Sequence, residues 1–337
     1  MCRNQVSPSA GSGPQPDRAG QAPRAGGCWS EKREKELLPR RSFFKTAGRA
    51  LAATGLLAAR TGRLPAGETA PRPIKKAVKF TMIEGDMSIL EKFKLLKQLG
   101  FDGVEMPSPS SLDRREVLEA RDASGLAIHG VFNSVHWKLP LSHPDPAVRA
   151  RGVEGMRTAL GDAKFYGGTT MLLVPGKVDK TMPYDKAYTR SQPEIRKVLP
   201  LAEELGIVIA IENVWNNFLL SPLEAARYID EFESPWVRAY FDVGNVVRYG
   251  WPEHWIRILG KRIIKLDIKE YSRKKRDDEG LWKGFQVELL EGDCDWPAVM
   301  KALDEIKFSG WATAEIPGGG RDRLKEVADR MDRIFAS

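Results

Sequence analysis

The chain has 337 residues, 42% hydrophobic and 29% charged, which excludes collagen, coiled-coil, disulfide-miniprotein and polytopic membrane architectures and leaves enough chain for one large core. Its formal charge of +8 is unevenly placed: residues 1–76 hold 15 Lys+Arg against 5 Asp+Glu, leaving 38 basic and 40 acidic residues for 77–337. The body is therefore close to neutral, and a nucleic-acid partner, which needs a basic surface on the folded part, loses its main support.

Residues 1–39 are rich in Gly, Pro, Ala, Arg and Gln without apolar periodicity. Such a segment buries too little surface to offset the entropy of ordering it, so disorder is expected. Arg40-Arg41-Ser42-Phe43-Phe44-Lys45 then precedes an Ala-rich, mildly apolar stretch from Ala47 to Ala59, followed by Arg60, Gly62 and Pro65. This order resembles a twin-arginine export signal and implies the twin-arginine machinery as a partner, passage of an already folded chain, and a periplasmic or extracytoplasmic location. Read instead as a basic amphipathic tail, the same residues leave the protein in the cytoplasm. The apolar run is too short for a stable membrane span of about 20 residues. Cys2 and Cys28 lie in this leader and only Cys294 remains in the body, so no internal disulfide forms there.

From residue 78 onward, short apolar or β-branched runs alternate with amphipathic segments, and no Ser/Gly-rich linker interrupts them. Strands are expected at Val78–Ile83, Gly103–Met106, Ala127–Phe132, Thr169–Val174, Ile207–Ile211, Arg238–Phe241, Ile263–Ile268 and Trp311–Ile316. Helices are expected at Ser88–Leu99, Asp113–Ser124, Pro146–Phe165, Gln192–Leu205, Pro222–Phe232, Pro252–Leu259, Trp296–Ile306 and Arg321–Phe335. Pro at the first turn after Ser221 and Asp295, and Gly100, Gly125 and Gly206 after the last apolar positions, punctuate them. Eight β/α units in one body over 77–337, with no GxGxxG after the first strand, match an α/β single (β/α)8 TIM barrel better than an open doubly wound sheet.

Catalytic groups of such barrels come from the carboxyl ends of strands. That rule selects Glu212, Asp242, Asp267 and Glu315, at the ends of strands five to eight. Each alone reads as well as a helix cap or an arginine partner. Together, four carboxylates at one mouth raise one another's pKa and call for a cation, and an all-oxygen donor set favours Mn²⁺ or Mg²⁺ over Zn²⁺. A metal between carboxylates suits proton removal beside a ketose carbonyl: the ion stabilises the enediolate, Glu212 takes the proton, and Glu315 returns one to the other face, or the reverse for the opposite epimer.

At these residues the chain resembles the xylose-isomerase-like barrel superfamily, and within it the L-ribulose/L-xylulose 5-phosphate 3-epimerases. The resemblance is carried by Asn133-Ser134-Val135-His136-Trp137-Lys138-Leu139-Pro140-Leu141-Ser142, by Ser234-Pro235-Trp236 leading to Phe241-Asp242-Val243-Gly244-Asn245, and by Glu291-Gly292-Asp293-Cys294-Asp295-Trp296. It implies a sugar isomerase or epimerase with a metal held by Glu, Asp, His and Glu from strands five to eight. Glu212, Asp242 and Glu315 match that pattern. Strand seven departs from it, with Asp267-Ile268-Lys269-Glu270 where the family usually reads His-(Val/Leu)-Lys-Asp.

The resemblance also implies substrate contacts at His136, as readily a loop histidine bonded to backbone, and at Arg273, as readily a member of a solvated charged loop with Lys274, Lys275 and Arg276. Asn245 is placed to orient Asp242, to touch sugar hydroxyls or to make a tight turn, and Trp137, Trp215 and Trp251 either stack on a sugar face or fill the barrel rim. His129 reads as a satisfied core histidine. Three rivals remain: a keto-sugar lyase or dehydratase on the same barrel, a non-catalytic sugar-binding module, and a barrel endonuclease, which the few histidines and neutral body disfavour. The export signal favours a free or glycosidically linked keto-sugar over a phosphate. Homo-oligomer formation is left open.

Overall fold

The alternation of short apolar runs with capped amphipathic segments closes into a barrel of eight parallel strands, each hydrogen-bonded to its chain neighbours, with the eighth returning to the first. The computed structural model describes residues 72–337. The twin-arginine motif and the disorder expected at the start of the chain lie outside the described residues. The strands are β1 (Ile74–Lys79), β2 (Gly103–Ser108), β3 (Ala127–Asn133), β4 (Thr170–Leu173), β5 (Val208–Glu212), β6 (Val237–Asp242), β7 (Ile263–Ile268) and β8 (Gly310–Ala314). Among the described residues, no helix is long and apolar enough to cross a membrane.

The helices start where side chains satisfy their first free N–H groups. Ser88 and Glu91 form a reciprocal capping box on α1 (Ile89–Gln98), Asp113 caps α2 (Arg114–Ser124), and Asp145 with Pro146 opens α3 (Pro146–Tyr166). Next come α4 (Tyr184–Arg196), α5 (Leu199–Leu205), α6 (Pro222–Asp230), α7 (Val243–Val247) and α8 (Pro252–Leu259). The outer ring is completed by α9 (Arg273–Glu279), α10 (Trp296–Glu305) and α11 (Arg321–Ala336).

Two expected elements change. The first strand begins at Ile74 and ends at Lys79, after which Phe80–Met82 turn as a 3₁₀ helix. Lys76 points outward and reaches Asp332 at 2.6 Å and the Ala328 carbonyl at 3.2 Å on α11, so a residue that reads as the end of a basic leader is a tie between barrel and helix. The helix expected over 192–205 begins earlier, at Tyr184, and breaks near Val198, where Pro200 restarts the chain as α5.

Most apolar burial lies between strands and helices. Inside the barrel, the apolar cluster is only Leu172, Ala210 and Tyr240, with Phe132 and Ile264 against it. Trp311 stacks on His129 with ring centroids 4.7 Å apart, and Gly103 leaves the room for this, since a Cβ there would lie 2.6 Å from the Trp311 ring. Polar residues also point inward, and those nearest the carboxyl ends of the strands build the site.

Candidate active site

At the carboxyl end of the strands the barrel opens into a cleft of about 420 Å³ lined by Trp137, Trp215, Trp282, Phe285 and Pro317 around Lys79, Glu212, Lys269 and Glu315. Glu212 and Asp242 are the last residues of β5 and β6, Asp267 is the penultimate residue of β7, and Glu315 follows β8 directly. Side chains alternate along a strand, so these four turn inward together. One oxygen from each lies within 4.8 Å of all the others.

The sequence argument left this cluster with no counter-ion except a metal. The structure supplies two ammonium groups. Lys269 Nζ lies 2.9 Å from Asp242 Oδ2 and 3.0 Å from Glu315 Oε2. Lys79 Nζ lies 3.0 Å from Asp267 Oδ2, 3.5 Å from Glu105 Oε2 and 3.6 Å from Glu315 Oε1. Five carboxylates therefore surround two cations, and three negative charges remain uncompensated if all ionise.

That surplus shows in how the protein's own charges and burial shift the carboxylates. Burial and the neighbouring Glu315 push Glu212 up to about 8. Burial also raises Asp267 well above the usual carboxylate range, against the pull of Lys79, and raises Asp242. Glu315 moves the other way: burial opposes ionisation, but Lys269 and Lys79 beside it bring it down to about 2. Asp242 Oδ2, both oxygens of Asp267 and Glu315 Oε2 are buried without a hydrogen-bond donor of proper geometry, the lysine contacts notwithstanding. Orphaned carboxylate oxygens with excess negative charge fit a hard divalent cation, and Glu212, Asp242, Asp267 and Glu315 are the residues placed to hold one.

The sequence profile of the xylose isomerase-like TIM barrel matches residues 93–334. The chain belongs to that family. L-ribulose-5-phosphate 3-epimerase UlaE of Escherichia coli O1:K1 / APEC is 29% identical over 266 residues, covering 73% of this chain and 89% of the relative. A structure of L-ribulose 3-epimerase superposes with a TM-score of 0.65 at 16% identity, covering 78% of this chain and 94% of that one. 3-keto-D-glucoside 4-epimerase YcjR of E. coli superposes with a TM-score of 0.65 at 16% identity, covering 77% and 98%. The solved structures share the fold; the relatives are sugar epimerases, the isomerase class expected from the residues.

In this xylose isomerase-like barrel, Asn213 fixes Asp242 from the next strand, donating from Nδ2 to the Asp242 carbonyl (2.8 Å) and accepting its N–H at Oδ1 (2.9 Å). Asn245 takes the orienting role: its backbone N–H donates to Asp242 Oδ1 at 2.8 Å, which caps α7, and the residue is part of the cleft lining. Its carbonyl accepts from Trp215 Nε1 at 2.8 Å, anchoring that wall of the cleft. Gly244 lets α7 lie against Lys269, since a Cβ there would meet the lysine backbone and Cβ at 2.8 Å. His136 lines the cleft, where burial lowers its pKa to about 3. Its Nδ1 accepts the Val174 N–H at 3.3 Å, which leaves the proton of the neutral ring on Nε2.

Arg273 does not line the cleft. Its Nε donates to the Val247 carbonyl at 3.0 Å and its Nη2 to the Gly250 carbonyl at 2.9 Å, so the reading of Arg273 as a substrate contact is replaced by a tie on chain-end carbonyls of α7 and the following turn. Trp251 is likewise outside the lining, whereas Trp137 and Trp215 belong to it. Glu270 is structural, accepting from the N–H groups of Leu290 (2.9 Å) and Cys294 (3.0 Å) and from Trp296 Nε1 (2.8 Å).

The residues that sequence reasoning missed are Lys79, Glu105, Lys269, Trp282 and Phe285. A usable signal existed for Lys79. Once β1 ends at Lys79, the strand-end rule that found the carboxylates selects it as well.

Proposed function

We propose that the protein is a divalent-metal-dependent epimerase or isomerase of an unphosphorylated keto-sugar, free or glycosidically linked, that works through an enediolate. The observation that carries this reading is four carboxylates gathered from the ends of consecutive strands, Glu212 and Glu315 lining a tryptophan-walled cleft, with more buried carboxylate charge than the two lysines beside them neutralise. Mn²⁺ or Mg²⁺, by the chemistry of the donor set, would polarise the ketose oxygens and offset the charge that develops on them.

The residues of the chain supply the rest. Trp137, Trp215 and Trp282 offer apolar faces to a sugar ring and exclude water from it. His136 Nε2–H is a donor for a hydroxyl or carbonyl oxygen. Proton exchange needs one carboxylate to accept from carbon, leaving the electron pair in the enediolate, and another to donate to the opposite face. Glu212 and Glu315 take these roles. The sequence reading gave Glu212 the accepting role; the protein's own charges favour the ionised form of Glu315, through Lys269 and Lys79, and disfavour that of Glu212, while a dication between the two would favour ionisation of both. The epimer that binds determines which direction runs.

The curated relatives are named for a phosphorylated ketose, but this cleft favours a substrate without the phosphate. None of its lining residues is arginine, and its two lysines are each held between carboxylates; the guanidinium of Arg248 lies behind the lining, stacked on Trp215 at 4.8 Å. An uncharged substrate also agrees with the expected export signal.

The test is solvent deuterium exchange into recovered ketoses and their phosphates by metal-loaded protein. Deuterium at a carbon next to the carbonyl, with turnover of the free sugar exceeding that of its phosphate, is the expected result. An unsaturated product instead identifies a lyase or dehydratase, and no exchange with any sugar defeats the proposal in favour of a binding module.

A further inference from the structure

Asp267 is fully buried, neither of its oxygens has a hydrogen-bond donor of proper geometry, and the cation that pairs with it is Lys79, whose Nζ lies at 3.0 Å. Lys79 comes from β1, next to β8 in the closed barrel, and is itself 5% exposed. Its ammonium is boxed in. Glu105 Oε2 lies at 3.5 Å and Glu315 Oε1 at 3.6 Å, while the ring faces of Phe132 and Tyr240 close the remaining sides with centroids at 5.4 and 5.7 Å. A cation held by three carboxylates and two aromatic faces is fixed in position and stays charged. Asp267 is also where strand seven departs from the pattern that the chain otherwise resembles.

We propose that Lys79 is the standing counter-ion of Asp267, so that the pair forms an electrically neutral flank of the site and the divalent cation takes its protein ligands from Glu212, Asp242 and Glu315. This rests on the metal reading given above and narrows it from four carboxylate ligands to three. Lys79 is thus a positioning residue. Its charge decides how strongly the site attracts a dication, and its contact decides whether Asp267 is free to bind one. Lys269 differs in this respect, because it touches Asp242 and Glu315 and leaves Asp267 alone.

The charge arithmetic gives opposite signs for the two single replacements. Lys79→Met removes a positive charge about 3–4 Å from the carboxylates and releases Asp267, so metal binds more tightly. Asp267→Asn leaves Lys79 without its main partner and repels the ion, so metal binds more weakly. The double replacement restores the net charge. Here the two assignments of Asp267 diverge: a neutral pair can be removed with little effect on the metal, whereas a ligand cannot.

The experiment measures Mn²⁺ affinity of the full chain, freed of metal by chelation, from the paramagnetic resonance of free Mn²⁺. It is run alongside urea unfolding of the same metal-free proteins. We expect Lys79→Met to bind Mn²⁺ at least tenfold more tightly than wild type and Asp267→Asn at least tenfold more weakly. The double variant should lie within threefold of wild type, and Lys79→Arg, which keeps the charge, should match wild type. In metal-free unfolding, Lys79→Met should lower the urea midpoint, and by more with Asp267 present than in the Asp267→Asn background, where the carboxylate it would leave unpaired is already gone. A double variant as weak in Mn²⁺ as Asp267→Asn makes Asp267 a ligand and overturns the inference. Unchanged Mn²⁺ affinity in Lys79→Met overturns it as well and leaves the metal reading standing. Failure of wild type and every variant to bind Mn²⁺ overturns the metal reading and the ligand assignment together, while the unfolding cycle still reports whether the ion pair exists. Should Lys79→Met not fold, Lys79→Gln carries the same expectations.

Discussion

Lys265, Tyr240 and Thr313 point into the barrel two residues before Asp267, Asp242 and Glu315 on the same three strands. In the deeper layer the polar atoms match one another. Lys265 Nζ is 2.8 Å from His129 Nδ1, Thr313 Oγ1 is 3.1 Å from His129 Nε2, and Tyr240 OH donates to Thr313 Oγ1 at 2.9 Å. His129 is thus the satisfied core histidine that its sequence position suggested. One step up the strands, acceptors outnumber donors and several buried carboxylate oxygens have no proper donor. Both layers desolvate charge. The lower layer satisfies its polar atoms with its own hydrogen bonds, leaving only the burial of Lys265 uncompensated, and is structural, while the upper layer holds more carboxylate charge than its lysines neutralise.

The comparison breaks most visibly under isosteric replacement. Glu212→Gln and Glu315→Gln should each lower solvent deuterium exchange by about 10²–10⁴-fold, the range of a lost general acid or base. Metal-free stability should hold or rise in Glu212→Gln, whose ionised form burial and Glu315 disfavour, and fall in Glu315→Gln, which takes a partner from Lys269 and Lys79. In the lower layer, Tyr240→Phe should leave exchange nearly intact and cost about 1 kcal/mol in urea unfolding through one lost hydrogen bond. Full exchange in both glutamine variants would remove the catalytic assignment.

Metal removal is the next largest effect. Chelation should lower exchange more than tenfold, and added Mn²⁺ or Mg²⁺ should restore it. The ion should also raise the melting temperature, because a ligand at about 100 times its Kd adds about 2.7 kcal/mol to the folded state. A melting temperature insensitive to both ions would place the upper layer with the lower one, as a network completed by its own lysines.

The two layers also differ in how far they were legible. The barrel, its eight strands and the four carboxylates followed from periodicity and strand-end position, since both signals are local. What escaped was the compensation. Lys79 and Glu105 sit on β1 and β2, far in sequence from the carboxylates they face, and only closure of the barrel brings them together. Beginning the first strand at Val78 also kept Lys79 away from a strand end. Arg273 failed for a related reason. Its sequence offset from Asp267 gives its distance along the chain, but its direction was set by carbonyls of α7 and the turn beyond. Trp282 and Phe285 lie on a 3₁₀ turn with no strand or helix period to mark them.

The lower layer has a pH signature of its own. Burial depresses Lys265 to about 7 from an ordinary 10.5, against a smaller opposing pull from Glu105. A lysine whose folded pKa lies below its unfolded value binds fewer protons when folded. It therefore opposes folding fully below about pH 7, and that opposition fades as pH rises to the unfolded value. Lys265→Met abolishes this term and orphans His129 Nδ1, a loss that does not vary over the same range. Relative to wild type, the variant should therefore lose stability between pH 7 and 9.5, by on the order of 3 kcal/mol at about 1.4 kcal/mol per pH unit. Parallel urea midpoints across that range would mean that Lys265 is neutral in neither state.

The smallest effect belongs to the rim, where the upper layer meets solvent. Trp282 is 66% exposed yet lines the cleft, and its ring lies 5.0 Å from that of Trp215, which packs on Phe285 at 4.6 Å. An indole left half in water contributes little to folding, so Trp282→Ala should change the urea midpoint by less than about 0.5 kcal/mol. Its face is available to a sugar ring in the ground state and the transition state alike. Removing such uniform binding raises KM and spares kcat, and an aromatic contact of about 0.5–1.5 kcal/mol corresponds to a roughly two- to tenfold rise. Comparison of substrates sharpens this further: if Trp282 meets a second ring attached to the keto-sugar, the rise in KM appears with the glycoside and vanishes with the free ketose. An equal rise for both would place Trp282 against the reacting ring, and a fall in kcat alone would tie the rim to proton exchange rather than to holding the sugar.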